Sequence, residues 1–384
     1  MKLKLNLKIA AAVTTVAVLS LFAGGCGSKN FTENEEPRNL NVSLKLATPS
    51  YKDIFSGCDM IKLESTPQSM LGGIDKAVCV NDSMLFLDMA RSNVFLFSPE
   101  GKFLNQIGTH GDGPEDYFLC YDFDIMPSSE PKVVSLLNPM GGLIDYTIDN
   151  KYVGRHKLEG KPNYYALQWK NQDIAVIWSC VEKIESGLSV FDMRNDSVIY
   201  EDWFNERMID FQRFIPLFEY NNSVYFAPPL TNDVYLVGDT SINLKYSWNF
   251  SPSNITKEYL DEIRMITDSH EMNERLIHDR RNGTLKDIPF FNGETSKYYY
   301  VALETRDGDD ISVKSVFYNK ESNESIVFIN FSEGMSFRPI FMNEEYVLCQ
   351  VPYDEVDIYN QILGTDIKCT DDENPVLAKF YFRK

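Results

Sequence analysis

The sequence predicts an all-β chain folded as a six-bladed β-propeller of four-stranded antiparallel blades, with a short helical insertion between blades four and five. Three observations carry that prediction. A strand–turn–strand unit recurs at a spacing of roughly 45 to 50 residues, a period that suits propeller blades rather than helical repeats. It is clearest over residues 94–107, is copied over 143–155, and returns in weaker form from Leu188 and from Asp233. Aromatic residues make up 13% of the chain, with 21 Tyr and 25 Phe, and such side chains pack well on pleated surfaces. Turn-forming clusters also punctuate the apolar runs at short intervals, as in Asn81-Asp-Ser83 and Ser98-Pro-Glu-Gly101.

Taken in order, residues 75–80, 84–88, 94–97 and 103–107 form the first meander. The second uses 122–125, 132–137, 143–146 and 152–155, and the third 164–169, 173–178, 188–192 and 197–200. The fourth takes 214–218, 223–226, 233–237 and 244–248. The period then changes. Ile255, Tyr259, Leu260, Ile263 and Ile266 fall at helical spacing behind Ser253, a candidate N-cap, so residues 253–284 read as the inserted helices. Strands resume at 298–304, 311–317 and 325–331. The last blade has 338–341, 346–351 and 376–382, and needs a fourth strand from the N-terminal stretch, either 42–46 or 60–63. Joining the two chain ends in this way hides the edges that an open ring would expose.

The N-terminus gives an address. Lys2, Lys4 and Lys8 precede an apolar run over 9–22 that is too short to span a bilayer, which needs about 20 residues, so it reads as a secretory leader. Ala23-Gly24-Gly25 directly before Cys26 predicts lipid attachment at Cys26, with ordinary secretion as the alternative. The predicted organisation is therefore leader 1–25, flexible tether 26–40 and propeller 41–384, held at the cell envelope and assigned to the outer membrane with its leaflet open. The formal charge of −19 argues against nucleic-acid partners. Six cysteines follow Cys26, which permits disulfides. Several sit in apolar strand patterns, however, where cysteine behaves as a small buried hydrophobe.

One stretch carries a family resemblance. Ile107-Gly-Thr-His-Gly-Asp-Gly-Pro-Glu-Asp-Tyr117, together with Ile61-Lys-Leu-Glu-Ser-Thr-Pro67 and Asn374-Pro-Val-Leu-Ala378, resembles the six-bladed β-propeller lipoproteins of gut Bacteroidetes, whose propellers are NHL- or TolB-like. Glu115 stands where that pattern has glycine, and Asp116 where it has glutamate. The resemblance implies the fold and the anchoring; the family's function is mostly unassigned.

Candidate binding residues are few. His110 and Asp112 lie in the glycine-rich loop before Tyr117, which reads either as a site or as a structural crossover between blades. Arg91 follows Asp88 by three, a spacing that suits a turn-closing ion pair. Asp122 and Asp124 alternate on one face of an inner strand, where they would solvate the channel mouth or hold a sugar hydroxyl or Ca2+. His270 and His278 flank Glu274 at helical steps without a zinc-ligand pattern. No catalytic residue, metal set or cofactor motif is legible. The expectation is a non-catalytic binding module for a carbohydrate, peptide or protein partner. The alternatives are a lactonase- or polysaccharide-lyase-like enzyme with a divalent metal in the channel, and a scaffold that docks a membrane neighbour through 253–284.

Overall fold

The computed structural model describes residues 36–159, 163–180, 186–202 and 215–383. Six sheets follow one another along the chain. Blade one is Lys76–Val80, Ser83–Asp88, Asn93–Phe97 and Phe103–Ile107. Blade two is Asp122–Ile125, Val133–Asn138, Gly142–Thr147 and Tyr152–Lys157. Blade three is Tyr164–Trp169, Ile174–Cys180, Ser186–Asp192 and Ser197–Asp202. Blade four is Leu217–Tyr220, Ser223–Phe226, Asp233–Val237 and Ile242–Asn249. Blade five is Asp287–Glu294, Tyr298–Asp307, Asp310–Asn319 and Ser325–Phe328. Blade six is Pro339–Met342, Tyr346–Val351 and Val376–Phe382, with Phe55–Lys62 as its outermost strand.

The first strand of each blade touches the first strands of both neighbouring blades, and that of blade six touches that of blade one. The ring is therefore closed around a channel. Each sheet is covered on both faces by its neighbours, which is why the second strands read as nearly continuous apolar runs (Met84 to Leu87, Ile174 to Trp178). The core is correspondingly divided into wedges between blades. Leu85, Phe123 and Ile144 pack between blades one and two, and Trp178, Val190 and Phe226 between three and four. Phe55, Phe317 and Phe380 pack between five and six.

Closure uses the later of the two candidate strands. Phe55–Lys62 pairs antiparallel with Val376–Phe382, from Phe55 opposite Phe382 to Lys62 opposite Val376. Beyond the ladder, the fully buried Asn374 accepts from the Leu71 amide at 2.8 Å and donates to the Glu64 and Ser69 carbonyls at 2.7 and 2.8 Å. The two terminal segments that carry the family resemblance thus bond to each other. Gly101, at φ +84, completes the seam: a Cβ there would lie 2.3 Å from the Lys62 carbonyl oxygen.

The earlier candidate, 42–46, does not join blade six. Arg38–Asn41 instead adds a fifth, parallel strand to the outside of blade four against Tyr246 to Asn249. The propeller therefore begins within the stretch read as tether. Blade five also gains the first strand Asp287–Glu294, which the sequence left without an assignment, and blade six carries a helix, Val356–Leu363. The insertion between blades four and five is two helices, Lys257–Met265 and Ser269–Arg281. The first is capped by Thr256 rather than Ser253, with its hydroxyl accepting from the Tyr259 amide at 3.2 Å. Asp268 caps the second through the His270 and Glu271 amides, both at 2.9 Å. Ile263, Met272 and Leu276 bury their side chains against Leu230 and Ile288, which fixes the insertion over one end of the channel.

Candidate functional site: two chambers in one channel

The six first strands place alternate side chains in the channel, and two cavities open there. One, of about 470 Å³, is lined where those strands begin, by Ile74, Tyr121, Tyr165, Pro216, Ile288 and Arg338 among others. The second, of about 640 Å³, is lined where they end, by Asp124, Gln168, Glu219, Glu294 and Met342 among others. Lys76, Ile215, Leu217, Phe291 and Ile340 border both and form the waist between them.

A buried ion pair sits at that waist. Lys76 Nζ lies 2.9 and 3.0 Å from the two Asp122 oxygens and donates to the Leu167 carbonyl at 3.0 Å. Asp122 also accepts from the Leu167 amide at 2.7 Å and the Phe123 amide at 2.8 Å. Two residues on, Asp124 accepts from Gln168 Nε2 at 2.8 Å and the Trp169 amide at 2.7 Å. Blades one, two and three are tied together by this network, because its donors come from all three. Burial pushes both carboxyls above the usual range, with Lys76 opposing; Asp124 rises to about 7.

Above the waist the chamber is mostly apolar: Met89, Phe290, Ile311 and Val313 line it. Its charged rim is already partnered. Arg280, from the second inserted helix, pairs with Glu304, and Arg338 lies 3.9 Å from Glu355. The opposite chamber is polar. Lys320 Nζ bonds Glu294 Oε1 and the Thr295 carbonyl, both at 2.6 Å, and lies 4.6 and 4.5 Å from the Tyr220 and Tyr299 ring centres. Burial raises the Glu294 and Glu219 carboxyls and lowers the Lys320 ammonium. Cys79, the thiol in this chamber, is pushed up to about 11 by burial and stays protonated at neutral pH.

The sequence-predicted residues separate cleanly. Asp122 and Asp124 line the channel, one on each chamber, and their oxygens are met by protein donors. Arg91 lies outside both cavities, donating to the Met70 carbonyl at 3.1 Å and pairing with Asp88 at 3.3 Å. His110, Asp112 and Tyr117 also lie away from the channel, in the crossover from blade one to blade two. There the buried Tyr117 hydroxyl meets Gln106 Nε2 at 3.2 Å and Asn93 Oδ1 at 3.3 Å, while His110 packs edge-on to its ring. Gly108, at φ +76, lets both the Tyr117 and Tyr146 rings approach to 2.8 Å from where a Cβ would stand. Asp116, in the place of the family's glutamate, accepts from the Gly113 amide at 2.9 Å. The loop holds blades together. Cys26 lies outside the described residues.

Lys76, Glu219 and Glu294 escaped the sequence reading. A lone lysine in the first strand of the first blade was the available signal for Lys76, and carboxylates at the ends of first strands for the other two. Among the described residues, no group of three or more His, Cys, Asp or Glu side chains could hold a metal ion. Free thiols there are Cys58, Cys79, Cys120, Cys349 and Cys369.

Residues 38–381 match the model of a family described as a domain of unknown function, DUF4934. The chain belongs to that family. A protein from Bacteroides fragilis has a similar fold, with a TM-score of 0.67 at 14% identity, covering 90% of this chain and 100% of its own. A member of the DUF4221 family from Bacteroides vulgatus is similar with a TM-score of 0.52 at 12% identity, covering 86% and 97%. At these identities the likeness speaks for the fold alone. No curated protein matches the chain in sequence. Among the described residues, no helix is long and apolar enough to cross a membrane.

Proposed function

We propose that this protein is a lipid-anchored, non-catalytic binding module of the cell envelope, and that it takes its ligand in the propeller channel. The observation that carries the reading is the pair of chambers, about 470 and 640 Å³, separated by a buried ion pair. Both lie in the range of small-ligand sites, and each draws part of its lining from the first strands of the blades. Among the described residues, the channel lining has no histidine, and its thiol Cys79 is held protonated. Cys26 behind a short apolar leader supports the anchor.

The test is ligand capture from envelope extract, read by mass spectrometry, with two variants that fill one chamber each: Val313→Trp at the apolar end and Ser296→Trp at the polar end. Retention of a compound by the wild type, lost in one variant, supports the reading. Retention of nothing, or retention indifferent to both substitutions, overturns it. For the anchor, labelled palmitate should enter the wild type and not Cys26→Ser.

A further inference from the structure

The apolar chamber has a polar corner that the fold does not use. Arg338 stands just ahead of the first strand of blade six, and Gln350 lies in the second. The Gln350 amide donates to the Arg338 carbonyl at 2.9 Å, so the two are cross-strand neighbours, and both line the chamber. The ion pair of Arg338 with Glu355 is long, at 3.9 Å, and lies beyond hydrogen-bond reach. Among the described residues, neither the Arg338 guanidinium nor the Gln350 side-chain amide makes a hydrogen bond. Other charged groups on the lining are engaged. Lys76 and Asp122 hold each other at the waist, Arg280 pairs with Glu304, and Asp75 accepts from the Met89 amide at 2.8 Å.

Away from that corner the lining is hydrocarbon, with Ile74, Met89, Phe290, Val313 and Ile340 around a space of about 470 Å³. Ile311 and Arg338 are more than half exposed, whereas Leu217 and Phe291 at the waist are buried. The chamber therefore runs from a solvated mouth that carries the guanidinium to an apolar interior. A pure hydrocarbon would fill the interior and make nothing of the donors at the mouth. A carboxylate gives acceptors to both: the guanidinium fork meets it through two parallel N–H bonds, and the Gln350 amide supplies a third. A cation would be repelled by the same guanidinium.

We infer that the chamber where the first strands begin binds an amphipathic monocarboxylate, its hydrocarbon chain among Ile74, Phe290, Val313 and Ile340 and its carboxylate on Arg338 and Gln350. This inference rests on the channel-binding reading and names the ligand class for one of its two chambers.

Isothermal titration with octanoate, hexanoate and 1-octanol tests it. Octanoate should bind at least fivefold more tightly than the alcohol, which has the same chain and no charge. Hexanoate should bind at least tenfold more weakly than octanoate, because each buried methylene is worth about fourfold, the equivalent of about 0.8 kcal/mol. Arg338→Met should weaken octanoate at least fivefold and leave 1-octanol within twofold, with a melting temperature within a degree or two of the wild type. Equal binding of acid and alcohol, affinity indifferent to chain length, no binding of octanoate at millimolar concentration, or an Arg338→Met variant that binds octanoate as well as wild type would each overturn it. If octanoate fails while the compound captured from envelope extract still depends on Val313 or Ser296, the carboxylate assignment falls and the channel reading stands. If both experiments are empty, both fall.

Discussion

The two ends of the channel are built from the same six strands, yet one is apolar and the other acidic. The difference traces to what connects the strands at each end. Where first strands end, tight hairpins return to the second strands, with left-handed residues such as Asn81, Asp82, Asn221 and Asn222 at their tips. Such turns demand Asn, Asp and Gly, so that mouth is polar by construction. Where first strands begin, longer connections arrive from the previous blade. These can carry apolar side chains inward, as Ile74 and Ile215 do, and one of them is the two-helix insertion. A propeller can thus present two different surfaces along one axis without changing its framework.

The waist is where this contrast is most easily broken. Lys76→Met removes the ammonium bonded to Asp122 and leaves a buried carboxylate facing, among the described residues, the Leu167 and Phe123 amides. Loss of one partner of a buried pair costs about 3–5 kcal/mol. Chemical denaturation should show a drop of that size.

A smaller effect isolates the acidic side. Asp124 stands at about 7 in the folded protein because it is buried, with Lys76 opposing and Asp122 reinforcing the rise. Its unfolded value is near that of an ordinary carboxyl, about 3.9. Between these values the folded chain keeps a proton that the unfolded chain has lost, so stability should fall as pH rises from about 4 to about 7 and then level off. Asp124→Asn should reduce that slope, to which the other raised channel carboxyls also contribute, and leave the protein about 1–3 kcal/mol more stable at pH 8 relative to pH 4 than the wild type. Denaturation midpoints at four or five pH values would show it. A slope unchanged by the substitution would place the titration elsewhere.

How much of this was legible beforehand depended on the range of the interaction. The alternation of Asp122 and Asp124 is local, with a period of two, and both line the channel, though buried among protein donors rather than solvated at its mouth. Their partners are not local. Lys76 comes from blade one, and the Leu167 and Trp169 amides from blade three, so only ring closure brings them together. The glycine-rich loop at His110 and Asp112 was legible as a loop. Of its glycines, Gly108 serves the close approach of Tyr117 and Tyr146, while Gly111 and Gly113 lie against the Asp116 carboxylate. The blade-five first strand hid behind Pro289 and Gly293. Proline is tolerated there because a first strand has a neighbour on one side only. Arg38–Asn41 hid because parallel addition to blade four follows no hairpin signal.

A control outside the channel sharpens the pH comparison. His156, on the outer strand of blade two, lies 3.3 Å from Asp145 and 2.7 Å from Asp196 in the neighbouring blade. Bonding to Asp145, then to Asp196, lifts it to about 9 against the loss from burial. A raised histidine contributes stability in full below about 6.5, and that contribution fades as pH climbs through about 9. His156→Gln should therefore lose about 1 kcal/mol at pH 6 and little at pH 10, a modest figure because the ring is partly exposed to solvent. The two titrations weaken the fold in the same direction but in adjoining windows. Asp124→Asn should flatten the lower window only, and His156→Gln the upper.

The smallest expected effect separates an exposed carboxylate at the cavity wall from a structural one. Asp124 is buried and hydrogen-bonded, whereas Glu219 borders the cavity and is exposed. Replacing Glu219 by Gln removes a charge without removing a contact the fold relies on. Exposed positions of that kind change stability by less than about 0.5 kcal/mol, so urea midpoints should be indistinguishable from wild type. If Glu219→Gln instead lost as much stability as Lys76→Met, the carboxylate would be part of the framework.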